Sequence, residues 1–284
     1  MSISKPIVIS CALTGVAATR KQCPWVPYSP VEIAEEAKRA FDAGATIVHI
    51  HAREDDGRPS WRLPVFQQIK EEVKKRCPVL LNFSTGGVGN TIEERTEQIE
   101  HASPEIAALN MGSMNYAIYS SKAKKFHIDE IFENPFKDII RALERMNLAG
   151  VVPEMECFDA GHISNADPLI DMGLLKAPFH FSLVMGVTGG IAATPKHLRF
   201  MSEILPPGSS WQVIGISREQ WMLCDEALKL GGNIRVGLED NFYLPDGKTM
   251  AKSNGELVQH AVKLVESHGL KVATLEETRR LFGI

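Results

Sequence analysis

The chain has 284 residues, 44% of them hydrophobic and 23% charged, with a formal net charge of −4; this balance supports a sizeable buried core. Lysine and arginine form no long cluster, which argues against a nucleic-acid partner, and no apolar run approaches the roughly 18 residues of a membrane helix. Five cysteines, widely spaced and never in a C-x-x-C pair, exclude a disulfide framework, and with no leader-like start at Met1–Lys5 they predict a cytoplasmic chain with free thiols.

In chain order, apolar β-branched runs alternate with amphipathic stretches. The predicted pairs are Ile7–Cys11 with Pro30–Ala43, Thr46–His51 with Leu63–Arg76, Val79–Phe83 with Thr91–His101, and Ile106–Asn110 with Pro135–Asn147. They continue as Val151–Cys157 with Asp167–Met172, Phe179–Met185 with Pro195–Ile204, Gln212–Ile216 with Glu219–Leu230, and Ile234–Leu238 with Glu256–Ser267. Continuous apolar strands are those of a parallel sheet covered on both faces. Repetition of the βα unit predicts an α/β fold, a closed (β/α)8 barrel, in a single domain spanning residues 1–284. Ser29-Pro30 and Thr194-Pro195 read as N-caps with proline at the first helical position, and Gly44 and Gly231-Gly232 as helix stops. An open nucleotide-binding sheet would carry G-x-G-x-x-G after its first strand; Thr14-Gly15-Val16-Ala17 does not fit.

Active sites of such barrels lie at the C-terminal strand ends, which draws attention to His49, His51, Asn82, Ser84, Thr85, Asn110, Glu154, Glu156, Ser217, Arg235, Glu239 and Asp240. Alternation along a strand puts His49 and His51 on one face, about 7 Å apart, with Val48 and Ile50 on the other. Two imidazoles there either line a polar mouth or converge on one divalent metal, zinc or another transition ion. Glu239, closing the eighth strand beside the first two, is the candidate third ligand or else a surface carboxylate. Asp240 is then expected at the rim, where Arg235 either tunes it as a general base or simply pairs with it. Ser84-Thr85-Gly86-Gly87 offers hydroxyls and backbone N–H groups to a carboxylate, or is a plain turn. Gly186–Gly190 before a helix start could receive phosphates such as those of coenzyme A. Glu154 and Glu156 share one face of the fifth strand, expected at the mouth, orienting a ligand or pairing with Arg53 or Arg235.

These stretches, together with Thr14-Gly15, Thr19-Arg20, His49–Ser60, Val151–Glu156 and Arg235–Asn241, resemble those of the β-keto acid cleavage enzymes, over nearly the whole chain. The resemblance implies a zinc-dependent TIM barrel, and a homotetramer. It implies condensation of a small β-keto acid with acetyl-CoA and a retro-Claisen release of acetoacetate plus a new acyl-CoA. By motif, His49, His51 and Glu239 would hold the metal. Asp240, linked to Arg235 and Ser84, would be the base, with Glu154 a further active-site carboxylate and Ser84 to Gly87 holding the substrate carboxylate. Members acting on an amino substrate carry a glutamate and a threonine where this chain has Ala17 and Ala108, which argues against an ammonium-bearing substrate. Trp25, Tyr28 and Trp61 could enclose a quaternary ammonium or an apolar tail, or serve packing alone. The competing function is a metal-dependent hydrolase of amidohydrolase type, for which His162 and His180 would have to supply further ligands.

Overall fold

A computed structural model describes residues 5–284; the expectation for residues 1–4 as a start without a leader falls outside them. Eight strands close into a parallel barrel: β1 (Ile9–Ala12), β2 (Ile47–Ile50), β3 (Leu80–Phe83), β4 (Ile106–Asn110), β7 (Val152–Cys157), β8 (His180–Met185), β9 (Ser210–Gly215) and β10 (Asn233–Val236). Around the ring the order is β1-β10-β9-β8-β7-β4-β3-β2. The covering helices are α1 (Pro30–Ala43), α2 (Leu63–Arg76), α3 (Ile92–Ala102), α4 (Phe136–Ala149), the short α5 (Ala160–Ser164) and α6 (Ala166–Asp171), α7 (Pro195–Glu203), α8 (Gln220–Lys229) and α9 (Asn254–Ser267). No helix among the described residues is long and apolar enough to cross a membrane.

Local chemistry explains the helix ends. Ser29 and Glu32 form a reciprocal capping box ahead of Pro30, and Thr194 accepts from the His197 N–H ahead of Pro195, as the sequence predicts. Gly44 (φ 121°) and Gly231 (φ 78°) take the positive φ that suits a helix stop.

Two elements depart from the sequence expectation. After β4 the chain forms an antiparallel hairpin, β5 (Met114–Ser120) and β6 (Lys125–Phe132). Most of its side chains are exposed, so the periodicity that marks a half-buried strand is blunted there. The second is α10 (Leu275–Phe282), opened by a Thr274–Glu277 capping box. It plugs the N-terminal end of the barrel, where Phe282 and Ala273 pack with Val8, Ile47, Leu80 and Ile106.

Between barrel and helices runs one continuous apolar shell that includes Val48, Ile50, Leu81, Phe83, Leu183 and Ile234. Inside the barrel, above the plug, the filling is polar: Ser10, His49, Asn82, Glu154, Ser182, Gln212 and Arg235 are all buried. Branched apolar side chains usually fill these layers. A buried polar layer is retained only where its members satisfy one another or serve a ligand.

Candidate metal centre and active site

β1 separates β2 from β10 in the ring, so the ends of β2 and β10 face each other across a single strand. Ala12 of β1 is in register with His49, and the Ala12 carbonyl accepts from the Glu239 N–H. Glu239 Oε1 consequently lies 3.6 Å from His49 Nε2 and 3.4 Å from His51 Nε2. The potential ligand atoms of the three residues lie within 4.8 Å of one another. Glu239 Oε2 accepts from the Gly15 N–H at 3.0 Å, and His51 is held through its backbone, which exchanges hydrogen bonds with the Thr14 hydroxyl. Thr14 and Arg53, which the sequence places in motif stretches without this role, support the centre: the Arg53 guanidinium donates to the carbonyls of Thr14, Gly15, Ala18 and Gly57, pinning the loop after β1.

Glu239 and Asp240 were expected to diverge, with Asp240 at the rim. The structure differs because β10 ends at Val236 and the chain turns at Gly237, where the N–H groups of Asp240 and Asn241 return to the Gly237 carbonyl. Off the strand, neighbouring carboxylates can reach the same partner. Asp240 is buried, and both its oxygens accept from Arg235 at 2.9 Å. Arg235 also donates to Glu239 at 2.8 Å and to Glu156 at 3.3 Å. Ser217 at φ 64° donates its N–H to the Asp240 carbonyl.

Burial and then Arg235 hold the His49 imidazole well below its usual range, which leaves it neutral and able to bind a cation. Burial works to raise the Glu239 carboxyl, but His51 and Arg235 outweigh it and keep it ionised. Asp240 is pushed up to about 6 by burial, against Arg235 and with help from Glu239. Burial lifts Glu156 to about 8, with Arg235 opposing.

Glu154 and Glu156 separate in depth. Glu156 reaches Arg235 near the mouth, whereas Glu154 sits in the polar layer, its carboxylate accepting from Asn82 (2.9 Å), Ser182 (2.8 Å) and Gln212 (3.2 Å). Of the two arginines offered as partners, Arg235 pairs with Glu156, whereas Arg53 pairs with neither glutamate, its guanidinium being engaged by four carbonyls. The β3 loop reaches the same space: Ser84 lines a narrow crevice with His51, Val16 and Trp61. Its Oγ accepts from the Gly86 N–H at 3.1 Å, and the Asp240 carboxylate accepts from Arg235 alone among the described residues, so the expected link between Ser84 and Asp240 is not a hydrogen bond here. Thr85 donates its hydroxyl to the Ala108 carbonyl at 2.6 Å. A Cβ at Gly87 would stand 2.7 Å from Trp61, and one at Gly86 would lie 3.5 Å from Asn110 Nδ2, a buried donor without a partner. Ala108 is buried in β4 and Ala17 is exposed in the β1 loop.

Other candidates fall away from the centre. His180 stacks on Phe282 at 3.9 Å, in the opposite end of the barrel, and His162 Nδ1 accepts from the Phe158 N–H; neither joins the metal cluster. Trp25 is half-exposed, and the Tyr28 ring already carries the Arg20 guanidinium at 4.2 Å and that of Arg53 at 5.4 Å. The Gly186–Gly190 loop serves the hairpin: a Cβ at Gly189 would strike the Asn115 carbonyl at 1.8 Å.

The donor set of two imidazole nitrogens and one carboxylate oxygen, with coordination positions left over, fits a catalytic divalent ion such as zinc. Comparison with known proteins gives the family. The family described as beta-keto acid cleavage enzyme matches residues 6–284. A 3-keto-5-aminohexanoate cleavage enzyme of Acetoanaerobium sticklandii is 41% identical over 280 residues, 98% of this chain and 98% of its own. A 3-oxoadipate:acetyl-CoA acetyltransferase of Cupriavidus necator is 32% identical over 286 residues, 99% of this chain and 96% of its own. Among solved structures, the apo structure of ObcA superposes with a TM-score of 0.79 at 24% identity, covering 92% of this chain and 66% of that chain, a likeness of fold.

Proposed function

The chain belongs to the β-keto acid cleavage enzyme family, and on that premise we propose how its own residues carry the reaction. It is a carbon–carbon-cleaving acyltransferase that works on a β-keto acid with acetyl-CoA. The overall exchange is R–CO–CH2–COO− plus acetyl-CoA giving acetoacetate plus R–CO–CoA. The substrate's C2 loses a proton, bonds to the acetyl carbonyl carbon and later parts from its original keto carbon, which leaves with the coenzyme A sulfur.

One observation carries the assignment of roles: His49, His51 and Glu239 converge beside a buried Arg235–Asp240 pair. We assign the metal to the first three, with zinc as the ion, and a bound divalent cation would stabilise enolate charge as a Lewis acid. Asp240 accepts the C2 proton. Arg235 holds both Asp240 oxygens in place and balances the charge. Ser84, the Gly87 N–H and the unpartnered Asn110 amide face the substrate carboxylate, with the Gly86 N–H orienting the Ser84 hydroxyl and Thr85 bracing that loop through Ala108. Glu154 acts from beneath, positioning Asn82 next to His49. Ala17 and Ala108 border the substrate and bring no charge to it. A single catalytic domain, a homotetramer and a cytoplasmic setting complete the proposal; its only partners are then the β-keto acid, the coenzyme A thioester and other copies of the chain.

The hydrolase alternative loses its footing because His162 and His180 lie away from the cluster. The deciding experiment combines metal analysis of the purified protein with a screen of β-keto acids for acetoacetate release. Release that requires acetyl-CoA supports the reading. Turnover that continues without acetyl-CoA removes it.

A further inference from the structure

Resting on the reaction above, we propose that the acyl group this enzyme transfers is an uncharged hydrocarbon chain, received by an apolar wall opposite the metal cluster. In the closed ring, β8 stands across from β2, so the side chains facing the His49–His51 pair come from β8 and its neighbours. At the mouth these are Val184 of β8 and Ile214 of β9, joined by Phe158 just beyond β7 and Phe132 at the end of the hairpin in one buried apolar cluster. The Phe132 and Phe158 rings meet edge to face with centroids 6.0 Å apart, and Tyr116 leans on Phe132 at 6.2 Å. This wall meets the reacting region at the β3 loop. A Cβ at Gly86 would lie 3.5 Å from Phe132 Cζ and 3.6 Å from Ser84 Oγ.

Charge bookkeeping around the mouth points the same way. A second carboxylate on the substrate needs a cation, yet the buried arginines are engaged: Arg235 with Glu156, Glu239 and Asp240, Arg53 with four carbonyls, and Arg95 through both terminal nitrogens with the Gly87 and Glu133 carbonyls and Asn134, its Nε alone being without a partner among the described residues. An ammonium needs an ionised carboxylate, but Glu156, Glu239 and Asp240 share Arg235, and Glu154 lies below, occupied by three donors. Asp159 beyond Phe158 is exposed and caps α5. Ala17 and Ala108 supply no charge. A charged tail against this wall would be desolvated without a partner, whereas each buried methylene should raise kcat/KM about fourfold until the wall is covered.

The test uses the full-length, metal-loaded enzyme with three six-carbon β-keto acids: 3-oxohexanoate, 5-amino-3-oxohexanoate and 3-oxoadipate, each with acetyl-CoA. The neutral acid should exceed both charged ones by about tenfold or more in kcat/KM. If either charged acid matches it, the apolar-tail proposal is overturned and the acyl-transfer reading stands. If none consumes acetyl-CoA, that reading falls and takes the proposal with it. Val184→Thr keeps the side-chain shape and adds a hydroxyl to the wall. It should lower kcat/KM for 3-oxohexanoate several-fold more than for 3-oxopentanoate; an unchanged ratio between the two overturns the placement of the chain on this wall.

Discussion

A single guanidinium, that of Arg235, serves three carboxylates drawn from β7 and from the turn after β10. Glu239 remains an anion suited to a metal, and Asp240 keeps both oxygens ordered for proton transfer. Asp240→Asn preserves shape and removes the proposed base, so kcat/KM should fall about 10²- to 10⁴-fold while metal content, read by elemental analysis, stays at the wild-type level. Loss of metal in that variant would mean that Asp240 supports the ligands and is not the base. Glu156 carries a different expectation. Its carboxyl is lifted to about 8 by burial, while an unfolded glutamate titrates near 4.3. Between those values the folded state holds the extra proton, so this group's contribution to stability is complete below about 4.3 and is lost as pH rises toward 8. Glu156→Gln, which cannot ionise, should flatten the fall of the denaturation midpoint between about pH 5 and pH 8. A pH profile identical to wild type would show that Glu156 ionises normally.

At the level of the element, the turn after β10 and the plug of α10 carry separate duties. Gly237 adopts φ 144°, and a Cβ there would meet the Ala12 carbonyl oxygen at 2.1 Å. Only glycine lets β10 turn this close to β1 and deliver Glu239 to the histidines. Gly237→Ala should therefore lower metal occupancy along with stability, both measurable on one preparation; full occupancy would show that the turn does not set the ligand. Phe282 closes the far end of the barrel and stacks on His180. Phe282→Ala should cost about 3 kcal/mol by chemical denaturation, with metal content preserved because the plug lies at the end away from the ligands. The hairpin and α10 show where sequence patterning ran short. The hairpin hides little of its surface, so it lacks the alternation that burial writes into a strand. For α10 the Thr274-x-x-Glu277 capping box was a usable signal, but the short segment after the eighth βα unit has no place in a count of eight.

For the molecule as a whole, eight parallel pairings and a continuous apolar shell form the barrel, and the residues that would hold a cation lie together at one mouth. Chelation should abolish acetyl-CoA-dependent turnover and leave the far-ultraviolet circular dichroism intact, with activity restored by added zinc; a collapse of the fold on chelation would make the ion structural. The sequence by itself determined the alternation of strand and helix, hence the barrel, because a strand covered on both faces must be apolar along its length. It also determined that His49 and His51 share a face, because side chains alternate along a strand. Only the tertiary structure decided that Glu239 and Asp240 both turn toward Arg235, that Glu154 sinks into the polar layer while Glu156 stays at the mouth, and that Phe132 and Phe158 join Val184 and Ile214 in one apolar cluster. Those placements depend on strand register around the ring and on where one strand gives way to a turn. Both are set by contacts between residues distant in the chain, which local spacing does not encode.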